Sequence, residues 1–348
     1  MSVTAATPRL SIALPVRDAE PWLDECIASI AAQSEPDFEV LAVDDGSRDS
    51  SRAMLEAWAS RDARVRVLAT RDDARGLVPA LNLALADARA PCLARMDADD
   101  RMRGDRLGLQ ADALDADPGL FAVASRVAAF PPDALTDGMR GYLDWQNSLV
   151  TPEELARDRF VESPVLHPSV MLRTAVARDV LGGWHDAPWP EDWDFFLRAF
   201  AAGLSIAKLP DVLLEWRLHD RQSTRVHDRY HEEALLDARA RYLAAFLPRT
   251  DRALWVLGAG PVGKALVKAL ARHGVIAHGL ADVDPRKIGG LVRGAGHRWK
   301  VVAHPVLRTM SPRPYAVSAV SGSAARTRVR RELESWGWTE VEDFVVAA

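Results

Sequence analysis

Cys92-Leu-Ala-Arg-Met-Asp-Ala-Asp-Asp100 begins apolar and ends on a run that holds three carboxylates. A short apolar run closed by a polar turn reads as a buried strand, so its acids stand at the strand's carboxyl end. The same design lies upstream. Leu10-Ser-Ile-Ala-Leu-Pro-Val16 leads through Pro15 and Val16 to Arg17-Asp18, and Phe38-Glu-Val-Leu-Ala-Val43 leads to Asp44-Asp-Gly-Ser-Arg-Asp49. Val65-Arg-Val-Leu-Ala69 is a further strand. Apolar residues at helical spacing fill the gaps, from Glu20 to Gln33, Ser50 to Ser60 and Leu77 to Ala88. Strand and helix therefore alternate, which predicts an α/β domain with a parallel, doubly wound sheet. Such sheets bind ligands outside the carboxyl ends of their strands.

One acid after a strand is usually a turn or cap residue, and Asp49 reads as the cap of the next helix. Several acids converging on one sheet edge repel one another unless a cation or donor groups offset them. Asp97 and Asp99, spaced as Asp-x-Asp, face one side of an extended segment, as a divalent ion requires.

With these segments, the chain resembles the family 2 glycosyltransferases of the GT-A fold. The resemblance rests on Ser11-Ile-Ala-Leu-Pro-Val-Arg-Asp18, Val43-Asp-Asp-Gly-Ser-Arg-Asp-Ser50 and Ala94-Arg-Met-Asp-Ala-Asp-Asp100. It continues through Gly76-Leu-Val-Pro-Ala-Leu-Asn82, Asp105-Arg-Leu107, His167-Pro-Ser-Val-Met-Leu-Arg173, Glu191-Asp-Trp-Asp-Phe-Phe-Leu-Arg198 and Trp216-Arg-Leu-His219. It implies inverting transfer from a nucleotide-diphosphate sugar, a UDP-sugar first, to an acceptor hydroxyl on a glycan or lipid-linked molecule, in cell-surface polysaccharide or glycoconjugate synthesis. It also implies roles. Asp44 and Asp45 meet the base and ribose, with Pro15, Arg75 and Asp97 at the donor. Asp97, Asp99 and His219 hold Mg²⁺ or Mn²⁺. Asp192 is the base, and Glu191 touches the acceptor or caps the helix.

The residues around Asp192 support that assignment independently. Trp193, Phe196, Leu197 and Phe200 follow helical spacing, which places Glu191 and Asp192 at a helix start where the dipole favours a carboxylate. Capping alone is the competing explanation. His167 reads as core or ligand. Arg221, Arg225, His227 and Arg229 read as phosphate contacts or a solvated helix start. Trp145, Trp184, Trp189, Trp193 and Trp216 read as packing or as a sugar platform.

A net charge of -5 argues against a general nucleic-acid binder. Cys26 and Cys92 read as core residues. No apolar run reaches the ~18 residues of a membrane span, and Met1 to Arg9 lacks a signal-peptide core. A cytoplasmic protein is expected, with peripheral contact at the inner membrane face left open by a lipid-linked acceptor.

At 348 residues the chain is long enough for two domains. A helix from about Asp228 to Phe246 closes the first, residues 1–247, and Pro248-Arg-Thr-Asp251 reads as a linker. The second, residues 251–348, opens with the strand Ala253-Leu-Trp-Val-Leu257. Gly258, Gly260 and Gly263 then lead into a helix, a strand covers Ile276 to Ala281, and Asp282 follows. That is the setting of the dinucleotide fingerprint in a smaller Rossmann-like domain. Ala281-Asp-Val-Asp-Pro-Arg-Lys-Ile-Gly289 resembles Rossmann-like domains attached to bacterial sugar-modifying enzymes. Nucleotide or NAD binding is one expectation there, and a structural or docking role is the other. The rival functions are a nucleotidyltransferase, an NAD-dependent sugar oxidoreductase centred on the second domain, and a non-catalytic sugar-nucleotide sensor.

Overall fold

Strands form where the apolar runs lie. In the computed structural model, which describes residues 7–247 and 252–348, β1 is Leu10–Val16, β2 Phe38–Asp44, β3 Val65–Ala69 and β4 Cys92–Arg95. Every residue of β1, β2 and β4 is buried, as expected of parallel strands covered on both faces. Helices α1 (Glu20–Ala31), α2 (Ser51–Ala59) and α3 (Leu77–Asp87) connect them. Pro21 lies in the first turn of α1, where its missing N–H costs nothing. Leu23, Cys26 and Ile30 then follow at helical spacing and are buried.

The rest of this unit comprises β5 (Arg101–Met102), α4 (Arg106–Ala116), β6 (Leu120–Phe130), α5 (Asp137–Ser148) and the start of α6 (Pro152–Asp158), whose residues from Ala156 fall in the second unit, then β7 (Met171–Arg173), α7 (Glu191–Ala201), β8 (Ser205–Arg217) and the short α8 (Ser223–Val226). The sheet runs β3-β2-β1-β4-β7-β6-β8-β5. Its first four strands are parallel, and β7 joins β4 in the antiparallel sense. This is the curled, mostly parallel sheet of a GT-A fold. From β1 the chain winds to β2 and β3 on one side and to β4 on the other. That reversal is a topological switch point, where the carboxyl ends of β1, β2 and β4 open a crevice. The β1–β4 pairing stops at Ala13↔Arg95, so Asp97–Asp100 follow just past the end of the ladder.

The second unit holds α9 (Glu232–Phe246), β9 (Leu254–Leu257), α10 (Pro261–Arg272), β10 (Gly279–Asp282), β11 (Leu291–Gly294), β12 (His297–Ala303), β13 (Tyr315–Ser318), α11 (Ser323–Ser335) and β14 (Phe344–Val346). Its sheet order is β11-β12-β10-β9-β13-β14. The five strands from β12 to β14 are parallel, which is the doubly wound order 3-2-1-4-5. β11 and β12 form a hairpin closed by Ala295 and Gly296, both at positive φ, as a tight hairpin turn requires.

The strand expected from Ile276 begins only at Gly279. Ile276 is exposed, and a Cβ at Gly279 would stand 2.5 Å from the Trp255 ring, so glycine is what lets the sheet close there. The contact boundary between the units also falls before α9 rather than after it. The second unit takes Ala156–Pro164, Pro188–Pro190 and His227–Ala348. Asp237 of α9 bonds His273 at 2.9 Å, and the Arg239 guanidinium donates to the carbonyls of Phe160 and Val161. Arg330 of α11 pairs with Asp158. The proposed linker, residues 248–251, lies outside the described residues.

Candidate active site

Asp97, Asp99 and Asp100 each place a carboxylate oxygen within 4.8 Å of the others. Asp100 is buried; its Oδ1 accepts from the Arg217 N–H at 2.8 Å, while its Oδ2 has no hydrogen-bond partner among the described residues. Burial pushes the Asp100 carboxyl well up, and the charges of Asp99 and Asp97 push the same way. Asp97 is also raised, first by burial, against the pull of Arg95. Arg95 is 2 % exposed and pairs with Asp97. An orphaned carboxylate oxygen beside two more acids is the donor set of a hard divalent cation, so these residues fit Mg²⁺ or Mn²⁺.

His219 lies at the same cluster. Its Nε2 is 2.8 Å from Asp99 Oδ2, and its Nδ1 accepts from the Arg221 N–H at 3.1 Å. With Nδ1 accepting, the ring proton sits on Nε2 and donates to Asp99. The imidazole stacks on Trp22 with centroids 3.9 Å apart, and the Arg221 guanidinium stands over the same indole. Arg221 also donates to the Asp18 carbonyl, which brings one member of the basic cluster to the β1 loop.

The β2 acids are held in place. Asp44 Oδ1 accepts from the Ser47 N–H, and its Oδ2 is 3.6 Å from Arg52. Asp45 accepts from the Thr70 hydroxyl at 2.8 Å, the Gly76 N–H at 2.8 Å and Arg17 at 3.3 Å. It thereby joins the ends of β1, β2 and β3 to the start of α3. Gly46 turns at φ +73°, and a Cβ there would stand 2.6 Å from Arg75 Cζ, so the Arg75 guanidinium lies on this loop. Arg75 also pairs with Asp72. Pro15 is buried in β1 opposite Val43.

α7 begins at Glu191, as its apolar spacing predicts. Asp192 is half-buried, and its Oδ1 accepts from the Trp193 N–H at 2.7 Å. Burial, then the neighbouring Glu191, holds its carboxyl above the ordinary range. Glu191 is buried, and its charge also acts on Asp97 and Arg95, which couples the start of α7 to the cluster after β4. His167 is buried with Nδ1 3.9 Å from Glu191 and stays neutral, first because of burial and then because of Arg95. Trp145, Trp184 and Trp193 are core residues, whereas Trp189 and Trp216 are half-buried. The ring placed at the cluster is Trp22 of α1. Asp100 and Arg95 were missed; a charged residue inside the apolar run of β4 was the available signal.

In the second unit, Gly258 turns at φ +96° and Gly260 opens α10. A Cβ at Gly263 would lie 1.8 Å from the Gly258 carbonyl oxygen, so only glycine lets the helix approach the loop. Gly263→Ala should therefore destabilise this unit by about 1–3 kcal/mol, read by thermal unfolding. An unchanged melting temperature would mean the loop is not held against the helix. Asp282 Oδ2 accepts from the Ala259 N–H at 2.6 Å.

Comparison with known proteins agrees with this geometry. Residues 11–181 match the family model described as Glycosyl transferase family 2. A protein of Haemophilus influenzae named "Uncharacterized glycosyltransferase" is 25% identical over 235 residues, 65% of this chain and 70% of the relative. The "Putative teichuronic acid biosynthesis glycosyltransferase TuaG" of Bacillus subtilis is 30% identical over 107 residues, 31% of this chain and 42% of the relative. The chain thus spans most of the first relative and less than half of the second. The structure titled "S. aureus TarS 1-349 in complex with UDP-GlcNAc" superposes with a TM-score of 0.56 at 18% identity, over 78% of this chain and 74% of that one. That likeness shows the fold. The family match by itself marks residues 11–181, which include the whole aspartate cluster, as a family 2 glycosyltransferase domain.

Proposed function

We propose that the chain transfers a sugar from a nucleotide-diphosphate donor, a UDP-sugar first, to an acceptor hydroxyl with inversion at the anomeric carbon. The observation that carries this reading is the triad Asp97, Asp99 and Asp100, converging at the switch point of the sheet. These acids would hold Mg²⁺ or Mn²⁺, which when bound offsets the charge on the departing diphosphate. His219 orients Asp99 through Nε2, and it would ligate the metal through that nitrogen only in the tautomer that carries the ring proton on Nδ1. Asp45 already accepts three donors, so it braces the pocket and leaves Asp44 the freer acceptor for the donor's base or ribose. Arg75 and the strand end at Pro15 line the same crevice.

Asp192 takes the proton of the acceptor hydroxyl, whose oxygen attacks the anomeric carbon opposite the leaving group. Glu191 keeps the Asp192 carboxyl basic by repulsion. The acceptor is a glycan or lipid-linked molecule in polysaccharide or glycoconjugate synthesis, a reading supported by the name of the Bacillus relative. A lipid-linked acceptor would be met at the inner face of a membrane; among the described residues no helix is long and apolar enough to cross one.

A panel of UDP-, GDP- and dTDP-sugars with Mn²⁺ tests the reading. The expected result is release of the matching nucleoside diphosphate, abolished by chelator. Pyrophosphate release from a nucleoside triphosphate and a sugar phosphate, with no diphosphate from any donor, would make the chain a nucleotidyltransferase instead.

A further inference from the structure

In a dinucleotide-binding fold, the carboxylate at the end of the second strand accepts the ribose hydroxyls. Asp282 stands at that place in the second unit, at the end of β10. Its Oδ2 accepts from the Ala259 N–H at 2.6 Å and from Lys287 Nζ at 3.1 Å, and its Oδ1 accepts from the Asp284 N–H at 2.8 Å. A carboxylate offers about four lone-pair directions. Three are taken, and a ribose diol needs two. The residues present therefore do not fit NAD.

A cavity of about 340 Å³ nevertheless opens beside Asp282, at the switch point between β9 and β13. Two features describe what would fill it. The first is a site for an anion. α10 starts at its wall, and the first-turn N–H groups of Val262 and Gly263 have no intrahelical acceptor. Arg328 of α11 lines the same space, is exposed, and makes no ion pair among the described residues. The second feature is a buried acceptor. His304 is 4 % exposed and lines the cavity. Its Nδ1 faces Glu332 at 3.4 Å, and burial keeps the ring neutral. A carboxylate only accepts, so Nδ1 carries the proton and Nε2 is left as an acceptor. Nε2 has no partner among the described residues. A hydroxyl would satisfy it.

We propose that this cavity binds a phosphate monoester on a hydroxyl-bearing skeleton, a sugar phosphate or a nucleoside monophosphate, and not a dinucleotide. The phosphate lies at the first turn of α10 within reach of Arg328. A hydroxyl donates to His304 Nε2, and apolar walls such as Leu257, Val320 and Val329 cover the carbon skeleton. The inference does not depend on the transfer reaction assigned to the first unit.

Calorimetry on the full chain in chelator tests it with glucose 1-phosphate, UMP, NAD and inorganic phosphate. At least one of the two monoesters should bind more tightly than inorganic phosphate, and NAD should give no heat. Gly260 is extended, at φ -77° and ψ -173°, and a Cβ there meets nothing within 4 Å. Gly260→Asp should therefore fold and cap α10, keeping or raising the melting temperature. Its carboxylate would occupy the phosphate position and weaken monoester binding roughly 100-fold. His304→Phe should weaken the monoester about tenfold and leave inorganic phosphate unchanged. Heat from UMP that survives Gly260→Asp would belong to the first unit. That result, without a Gly260-sensitive response to glucose 1-phosphate, would overturn the proposal. So would Gly260-sensitive binding of NAD, or no heat from either monoester.

Discussion

Asp192→Asn is expected to fold, to bind donor normally and to lose roughly 10²–10⁴-fold in turnover. Asn has nearly the same shape, and its Oδ1 can still accept from the Trp193 N–H that Asp192 Oδ1 accepts now. What it cannot do is take a proton at neutral pH. The donor pocket, built on Asp44, Asp45 and the loop beneath Arg75, is untouched, so donor affinity should hold. If Asp192 only caps α7, the pattern reverses: Asn is nearly silent, and Ala costs about 0.5–2 kcal/mol of stability.

The wild-type pH profile supplies a second check on the same residue. Burial, then Glu191, holds the Asp192 carboxyl above its ordinary range. A raised acid keeps its proton to higher pH, so the base form appears later as pH rises. The acidic limb of kcat/KM should thus lie above the usual carboxylate range. Glu191→Gln should move that limb down by removing a neighbouring negative charge. A folded Asp192→Asn enzyme with near-normal turnover would exclude Asp192 as the base and shift suspicion to Glu191 or Asp194.

Asp99→Ala should cut metal-dependent transfer by roughly 10²–10⁴-fold, because the diphosphate would depart without its counter-charge. It should also weaken donor binding in Mn²⁺, unlike Asp192→Asn. Asp99 is the acid that His219 holds, so the variant frees the imidazole from its carboxylate partner as well. The stack of His219 on Trp22 remains. Folding should survive, since Asp99 is only half-buried and the orphaned oxygen of Asp100 loses a repelling neighbour. Full activity of this variant in chelator would remove the metal from the mechanism.

The parts of the fold legible in sequence are those whose side chains face no choice. β1, β2 and β4 are buried along their whole length, so their apolar runs could be read directly. The far half of the first sheet could not. β7 has three residues, and β8 meets β6 through irregular register, so neither shows a clean period. The second sheet was placed from its glycines and from the acid that follows one strand later, but the strand starting at Gly279 was set three residues early because Ile276 and Ala277 are apolar.

The site shows the same division. Asp97 and Asp99 are visible as a spaced pair. Asp100 joins them because the Arg217 N–H, 117 residues further along the chain, fixes its other oxygen. Trp22 lies half-buried on α1, and only the fold reveals His219 stacked on it. In the second unit, the engagement of Asp282 by Ala259 and Lys287 depends on backbone geometry that no motif encodes.

The most direct test of the account is a Mn²⁺ titration followed by electron paramagnetic resonance, with and without UDP, on the wild type and on Asp99→Ala. The account predicts that the free Mn²⁺ signal is quenched tightly by wild type only when UDP is present, and that Asp99→Ala abolishes the quench. Quenching by Asp99→Ala equal to that of wild type, or none by wild type at millimolar UDP, would contradict it.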